Sequence, residues 1–189
     1  MERDETRIVE RARAGDGEAF RELVERHGSR VFRLAWRLTG DEETAEDAVQ
    51  ETFLRAYRSL GRFDGRSGFG TWLHRIAVNV SYEILRQRER RDDRGEGPID
   101  LPSPEPGPDR RALSVEVERT VRSAMADLSP LERTAFVLRH FEGRSISEIC
   151  DQLGLRPSAG KQAIFRAVRK LRRVLEPLVQ TVRSHEASQ

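Results

Sequence analysis

Apolar positions along this chain recur at intervals of three and four, the spacing of one helical face. From Glu18 to Leu38 the stripe is Phe20, Leu23, Val24, Val31, Leu34, Ala35 and Leu38, which predicts a helix stopped by Thr39-Gly40. Asp41 is placed to cap a second helix, whose stripe of Ala45, Ala48, Val49, Phe53 and Ala56 runs to Leu60-Gly61. A third starts near Phe69 and continues through Trp72, Leu73, Ile76, Val80 and Ile84 to about Arg90. Between the second and third, "GRFDGRSGFG" carries four glycines and predicts a loop.

The pattern then breaks. Residues 91–111 hold five of the chain's eight prolines and three glycines, with only Ile99 and Leu101 as aliphatic content, the composition of an extended, mobile linker. Helical spacing resumes at Val115, Val117, Val121 and Met125, and again from Pro130, suited to a first helical position, to Phe141. In "SISEICDQLGL", Ser145 and Glu148 form a capping box before Ile146, Ile149 and Leu153, and Gly154 suits a tight turn. A further helix opening near Pro157 or Ser158 places Ile164, Val168, Leu171 and Leu175 on one stripe, with Lys161, Gln162, Arg166, Arg169 and Arg173 opposite. No stretch alternates with period two. The expected fold is all-α: two small helical bundles joined by a flexible Pro/Gly-rich linker, the second containing a helix-turn-helix.

Charge changes the picture through its placement. The formal net charge is only +2, with 35% charged and 37% hydrophobic residues in 189, enough for two small modules and not for one large enzyme core. From Gln152 to Leu175, however, there are seven basic residues and no acidic one. A solvated helix usually interleaves signs for i to i+4 pairing; this helix, behind a short helix and a glycine turn, has the form of one that enters a major groove. There Lys161 and Arg166 can neutralise phosphates or reach guanine edges and Gln162 can address adenine. Taken alone, the same residues also suit a basic face left in water. Asp41, Glu42, Glu43, Glu46, Asp47 and Glu51 form an opposite stretch, with no Lys or Arg until Arg55; it suits a basic protein partner or, equally, a solvated acidic face.

Other chemistry is excluded by spelling. "GLRPSAGKQ" has five residues between its glycines and Gln162 in place of a hydroxyl, with no strand before it, so it is not a phosphate-binding loop. Single Cys150 rules out an internal disulfide and suits an inert seam position; the histidines have no zinc-site spacing, and the paired carboxylates have no nucleophile beside them. Asn79 in "NVS" falls in a helical pattern, and no run is long and apolar enough to span a bilayer. The expectation is a cytoplasmic, nucleoid-associated chain with no cofactor, no metal and no catalytic activity.

Two stretches, "DEETAEDAVQETFLRAYRSLGRFDGRSGFGTWLHRIAVNVSYEILRQRER" and "LSPLERTAFVLRHFEGRSISEICDQLGLRPSAGKQAIFRAVRKLRR", resemble regions 2 and 4 of bacterial sigma-70 family factors of the compact extracytoplasmic-function type, in the family's order. The resemblance implies region 2 over residues 1–90, a linker over 91–113 and region 4 over 114–184. It implies core RNA polymerase as a partner, docked by its clamp helices on Asp47, Gln50, Glu51 and Leu54. The loop and the helix after it would read the downstream promoter element and capture a flipped base, with Phe63, Arg66, Ser67, Arg75 and Asn79 as candidates; aromatics and arginines on flexible backbone are the mixture that holds unstacked bases. Trp72 is expected in the core, and Phe69 suits either place. Arg156, Ser158, Lys161, Gln162, Arg166 and Arg169 would hold the upstream element. The partners are thus polymerase, promoter DNA as duplex and melted strand, and an anti-sigma factor. A stand-alone helix-turn-helix regulator or a helical adaptor are the alternatives.

The chain departs from the pattern at Gly160, where the family usually has an apolar residue, so the recognition helix is expected to start late. Ala163 replaces a commonly basic position and Phe165 a commonly small polar one, which points to an unusual upstream element or to Phe165 packing on a partner.

Overall fold

A computed structural model describes the backbone of residues 2–92 and 111–186, with side chains over 4–91 and 119–177. The described residues form α1 (Glu2–Arg13), α2 (Gly17–Thr39), α3 (Glu42–Ser59), α4 (Phe69–Asp92), α5 (Arg111–Ala126), α6 (Pro130–His140), α7 (Ile146–Leu153) and α8 (Pro157–Glu186), with a short 3-10 turn at Leu60–Arg62. The fold is all-α, as the periodicity predicts, and divides into two compact units, Met1–Leu85 and Arg86–Gln189. Of the linker expected over 91–113, the two ends are helical; residues 93–110 lie outside the described residues.

Alanines bring the helices of the first unit close together. Ala35 of α2, Ala45 and Ala48 of α3 and Val80 of α4 form a fully buried cluster, ringed by Phe32, Val49, Ile76 and Ile84; small side chains let backbones approach, and the larger ones close the rim. Asp41 caps α3 by accepting from the Thr44 N–H at 2.9 Å. Gly40 takes the left-handed conformation between α2 and α3, at φ 73°, and its N–H donates to the Trp36 carbonyl at 2.7 Å. α1 was not anticipated from the pattern; it packs on α2 and buries Ile8, Val9 and Ala12.

In the second unit two helices start in capping boxes, one of them expected from the sequence. Ser129 and Glu132 open α6 behind Pro130, and Ser145 and Glu148 open α7, the Glu148 N–H donating to Ser145 Oγ at 3.2 Å and the Ser145 N–H to Glu148 Oε2 at 2.8 Å. Gly154, at φ 65°, makes the turn. The core is Ala124, Leu128, Ala167 and Leu171, flanked by Met125, Phe136 and Leu175. Two expectations are corrected here. α8 starts at Pro157 and does not start late. Its buried stripe is Gly160, Ala163, Ala167 and Leu171, while Ile164 and Val168 are half-buried flanks, because the first turns of α8 pack closely on α7 through small residues before Leu171 enters the core. Ala163 therefore faces the core and not a ligand.

Candidate functional site

α3 presents the acidic surface. Glu42, Glu43, Glu46, Asp47 and Gln50 are exposed, and Glu42 and Glu43 lie in the first turn, where the helix dipole favours carboxylates. Gln50 and Leu54 line an apolar groove of about 430 Å³ with Phe20, Val24, Phe32, Val49, Phe53 and Tyr57, and Glu46 stands at its edge. Phe20 and Tyr57 meet edge to face at 5.0 Å. A groove of this kind with one carboxylate at its edge and others exposed on the same helix fits a helix carrying apolar and basic side chains together. Glu51 is already engaged. It accepts from Arg55 Nε at 2.6 Å, while Arg55 Nη1 donates to Glu83 of α4 at 2.7 Å; these hydrogen bonds to Glu51 and then Glu83 raise the guanidinium above its ordinary pKa.

The loop between the 3-10 turn and α4 is tied to itself. Asp64 accepts from the Arg66 N–H at 3.0 Å and pairs with the Arg66 guanidinium at 3.1 Å, while Gly65 turns the backbone at φ 73°. Phe63 is 7% exposed, with its ring centroid 5.2 Å from Trp72 and 6.0 Å from Phe69, so it anchors the loop, and it lines the cavity that Ser67 also lines. Phe69 is buried with it and Trp72 is half-buried.

The remaining downstream candidates do not converge on one pocket. Ser67 lines a cavity of about 430 Å³ against Glu5, Val9, Glu10 and Arg13 of α1. Asn79 lines another, of about 370 Å³, with Arg55, Arg58, Ser59, Ile76 and Glu83. Arg75 is exposed one turn earlier on α4. The Asn79 pocket combines an amide, the Arg58 guanidinium and an apolar wall beside the Arg55–Glu83 pair, a set able to hold an unstacked base. Arg58, Ser59 and Ile76 were missed because they lie at the end of α3 and on the stripe assigned to the core.

The basic surface of the second unit is open. Arg156, Ser158, Lys161, Gln162, Arg166 and Arg169 are all exposed, and Phe165 stands among them at 66% exposure. Lys161 and Phe165, Gln162 and Arg166, and Phe165 and Arg169 are each one turn apart, on one face. Lys170 is anchored instead: its Nζ donates to Glu132 at 2.7 Å and to the Asp127 carbonyl at 3.4 Å. Arg133 of α6 is buried, and that burial pushes its pKa down to about 10. Among the described residues no helix is long and apolar enough to cross a membrane, and no cluster of His, Cys, Asp and Glu could hold a metal ion.

Residues 23–91 match the family model of Sigma-70 region 2, and residues 118–171 that of Sigma-70, region 4. The chain is 36% identical over 182 residues to the RNA polymerase sigma-H factor of Pseudomonas aeruginosa, covering 91% of this chain and 94% of that one. It is 34% identical over 185 residues to the ECF RNA polymerase sigma-E factor of Haemophilus influenzae, covering 91% and 95%. Among solved structures it resembles CnrH in complex with the cytosolic domain of CnrY, at 30% identity and a TM-score of 0.59 over 90% of this chain and 96% of that one. The sigma factor RpoE of the complex with the anti-sigma factor NepR from Bartonella quintana shares the fold, with a TM-score of 0.61 at 24% identity over 83% and 96%. The chain therefore belongs to the sigma-70 family of RNA polymerase sigma factors, of the extracytoplasmic-function type.

Proposed function

We propose that the two units divide a sigma factor's work between an acidic docking helix and a basic reading helix. The protein binds core RNA polymerase and directs promoter recognition and opening; its family comprises transcription-initiation factors and not enzymes. Polymerase docks on α3, where Asp47 and Glu51 meet basic side chains and Leu54 and Gln50 admit apolar ones into the groove beside them. Arg75 and Asn79, with Arg66 and Ser67 from the loop, contact the downstream element, and an exposed base is captured as it unstacks, which favours the melted state. Arg156, Ser158, Lys161, Gln162, Arg166 and Arg169 hold the upstream element, and Phe165 lies against a thymine methyl. The site of action is the nucleoid, in the cytoplasm. An anti-sigma factor is a further partner, covering the apolar groove and so competing with polymerase.

The observation that carries this reading is the exposure of two surfaces of opposite charge on separate units, the α3 face and the α8 face. Run-off transcription with purified core polymerase on a promoter library tests it. Transcripts from a shared pair of upstream and downstream elements are expected; no dependence on the chain refutes it. For the anti-sigma factor, co-purification from native cells should yield a partner displaced by core polymerase, and a chain recovered alone under non-inducing conditions counts against it.

A further inference from the structure

Gly160 sits in the second turn of α8, one residue before Lys161. It is not among the glycines with positive φ, so no turn requires it, and in a helix interior glycine is the poorest residue after proline. What requires it is space. A β-carbon built at position 160 would lie 2.4 Å from Cys150 Sγ and 4.0 Å from Ile146 Cγ2. Cys150 is 3% exposed and is held from both ends: its Sγ lies 3.7 Å from the Arg156 carbonyl oxygen, and its own carbonyl accepts the Gly154 N–H and, at 2.8 Å, the Leu155 N–H. The Arg156 carbonyl in turn accepts from the Ala159 and Gly160 N–H groups at 2.9 and 3.2 Å. The cysteine thus touches the turn, the start of α8 and the one position on α8 that has no side chain.

We propose that Cys150 and Gly160 are a matched pair that positions the recognition helix: the thiol fills the space a side chain of α8 would take and seats the first turns of α8 at the depth from which Gln162 reads bases. The inference rests on the assignment of α8 to the upstream element. A side chain at position 160 must move either α8 or the thiol. A helix rotamer set leaves Cys150 few alternatives, so α8 moves. Phosphate contacts from long, flexible side chains survive a small displacement, whereas base contacts of fixed geometry do not.

The test is a double-mutant cycle in the full chain, assembled with core polymerase, on the duplex that the wild-type holoenzyme enriches from a library randomised at the upstream element. Gly160→Ala is expected to lower the Tm of the chain and to cut the ratio of specific to non-specific affinity about tenfold, with the salt slope unchanged. In a Cys150→Ala background the same substitution is expected to raise the Tm, since alanine's helix preference is then unopposed, and to restore the ratio to within about twofold of wild type. A Tm raised in both backgrounds overturns the proposal, because space was then not limiting. A sign change in Tm with an unchanged ratio also overturns it, since the pair would only stabilise. If the wild-type holoenzyme enriches no upstream sequence, the assignment of α8 is what fails, and the proposal falls with it.

Discussion

α3 and α8 are both long amphipathic helices with one charged face, yet their surroundings give those faces different uses. In the first unit arginines are matched by nearby acids: Arg21 with Glu18 and Glu25, Arg26 with Asp4 and Glu22, Arg55 with Glu51 and Glu83. Each exposed pair adds little to stability, and none of them takes up Glu42, Glu43, Glu46 or Asp47 of α3, which stand exposed near an apolar groove. On α8, Lys170 is paired with Glu132, whereas no carboxylate among the described residues forms an ion pair with Lys161 or Arg169, and Arg166 is attracted to Glu132 without pairing with it. A polyanion can therefore meet that face without displacing a partner. With 14 Lys and Arg to 16 Asp and Glu in the first unit and 20 to 16 in the second, the number of cations and the placement of the acids together yield a protein-docking surface in one unit and a nucleic-acid surface in the other.

The largest break in that contrast should come from reversing charge on α3. Glu51→Arg is expected to weaken association with core polymerase about 100-fold, since like charges at a docking surface cost several kcal/mol, and Leu54→Asp should act through the groove in the same direction; titration of core enzyme reads both. Arg166→Ala should cost about tenfold in upstream-element affinity and relax one base position, whereas Lys161→Ala should weaken all sequences alike and reduce the salt slope by about 1. Phe165→Ala is expected to lose about threefold on a site with thymine in its path and almost nothing elsewhere, read by competition between the two duplexes.

The smallest effect concerns the helix that supports α8. The Ser145 N–H and hydroxyl, with the Arg144 guanidinium, hold the Glu148 carboxylate down at about 2. A depressed carboxylate stabilises the folded state in full above its ordinary value of 4.5 and loses that contribution as the pH falls towards 2. Glu148→Gln should therefore flatten the acid-dependent loss of helical circular dichroism over that window, relative to wild type, while leaving upstream affinity at pH 7 within about twofold. An unchanged acid profile would mean that the capping box does not form.

Much of this was legible in the sequence because caps and stripes are local. Asp41, Pro130, Ser145 and Gly154 each act on the backbone within a few residues, so spelling alone located the starts of α3, α6 and α7 and the turn after α7. α1 escaped because "ERDETRIVERAR" buries only Ile8, Val9 and Ala12 among many charges, and its stability comes from packing on α2. The anchoring role of Phe63 escaped for a related reason. A loop aromatic beside arginines suggests a stacking platform, and only its contacts with Phe69 and Trp72 show that it anchors the loop. On α8 the large apolar residues drew attention from the small ones, although close helix packing places Gly160, Ala163 and Ala167 at the seam. The pocket around Asn79 joins α3 to α4, and a contact across elements leaves no periodic trace.

The division of labour is tested most directly by crossing two variants with two ligands, measuring the affinity of Glu51→Arg and of Arg166→Ala for core polymerase and for the upstream duplex. The account predicts that the first variant loses polymerase and keeps the duplex, and that the second loses the duplex and keeps polymerase. Loss of both ligands by either variant, in a chain that melts as wild type does, would contradict it.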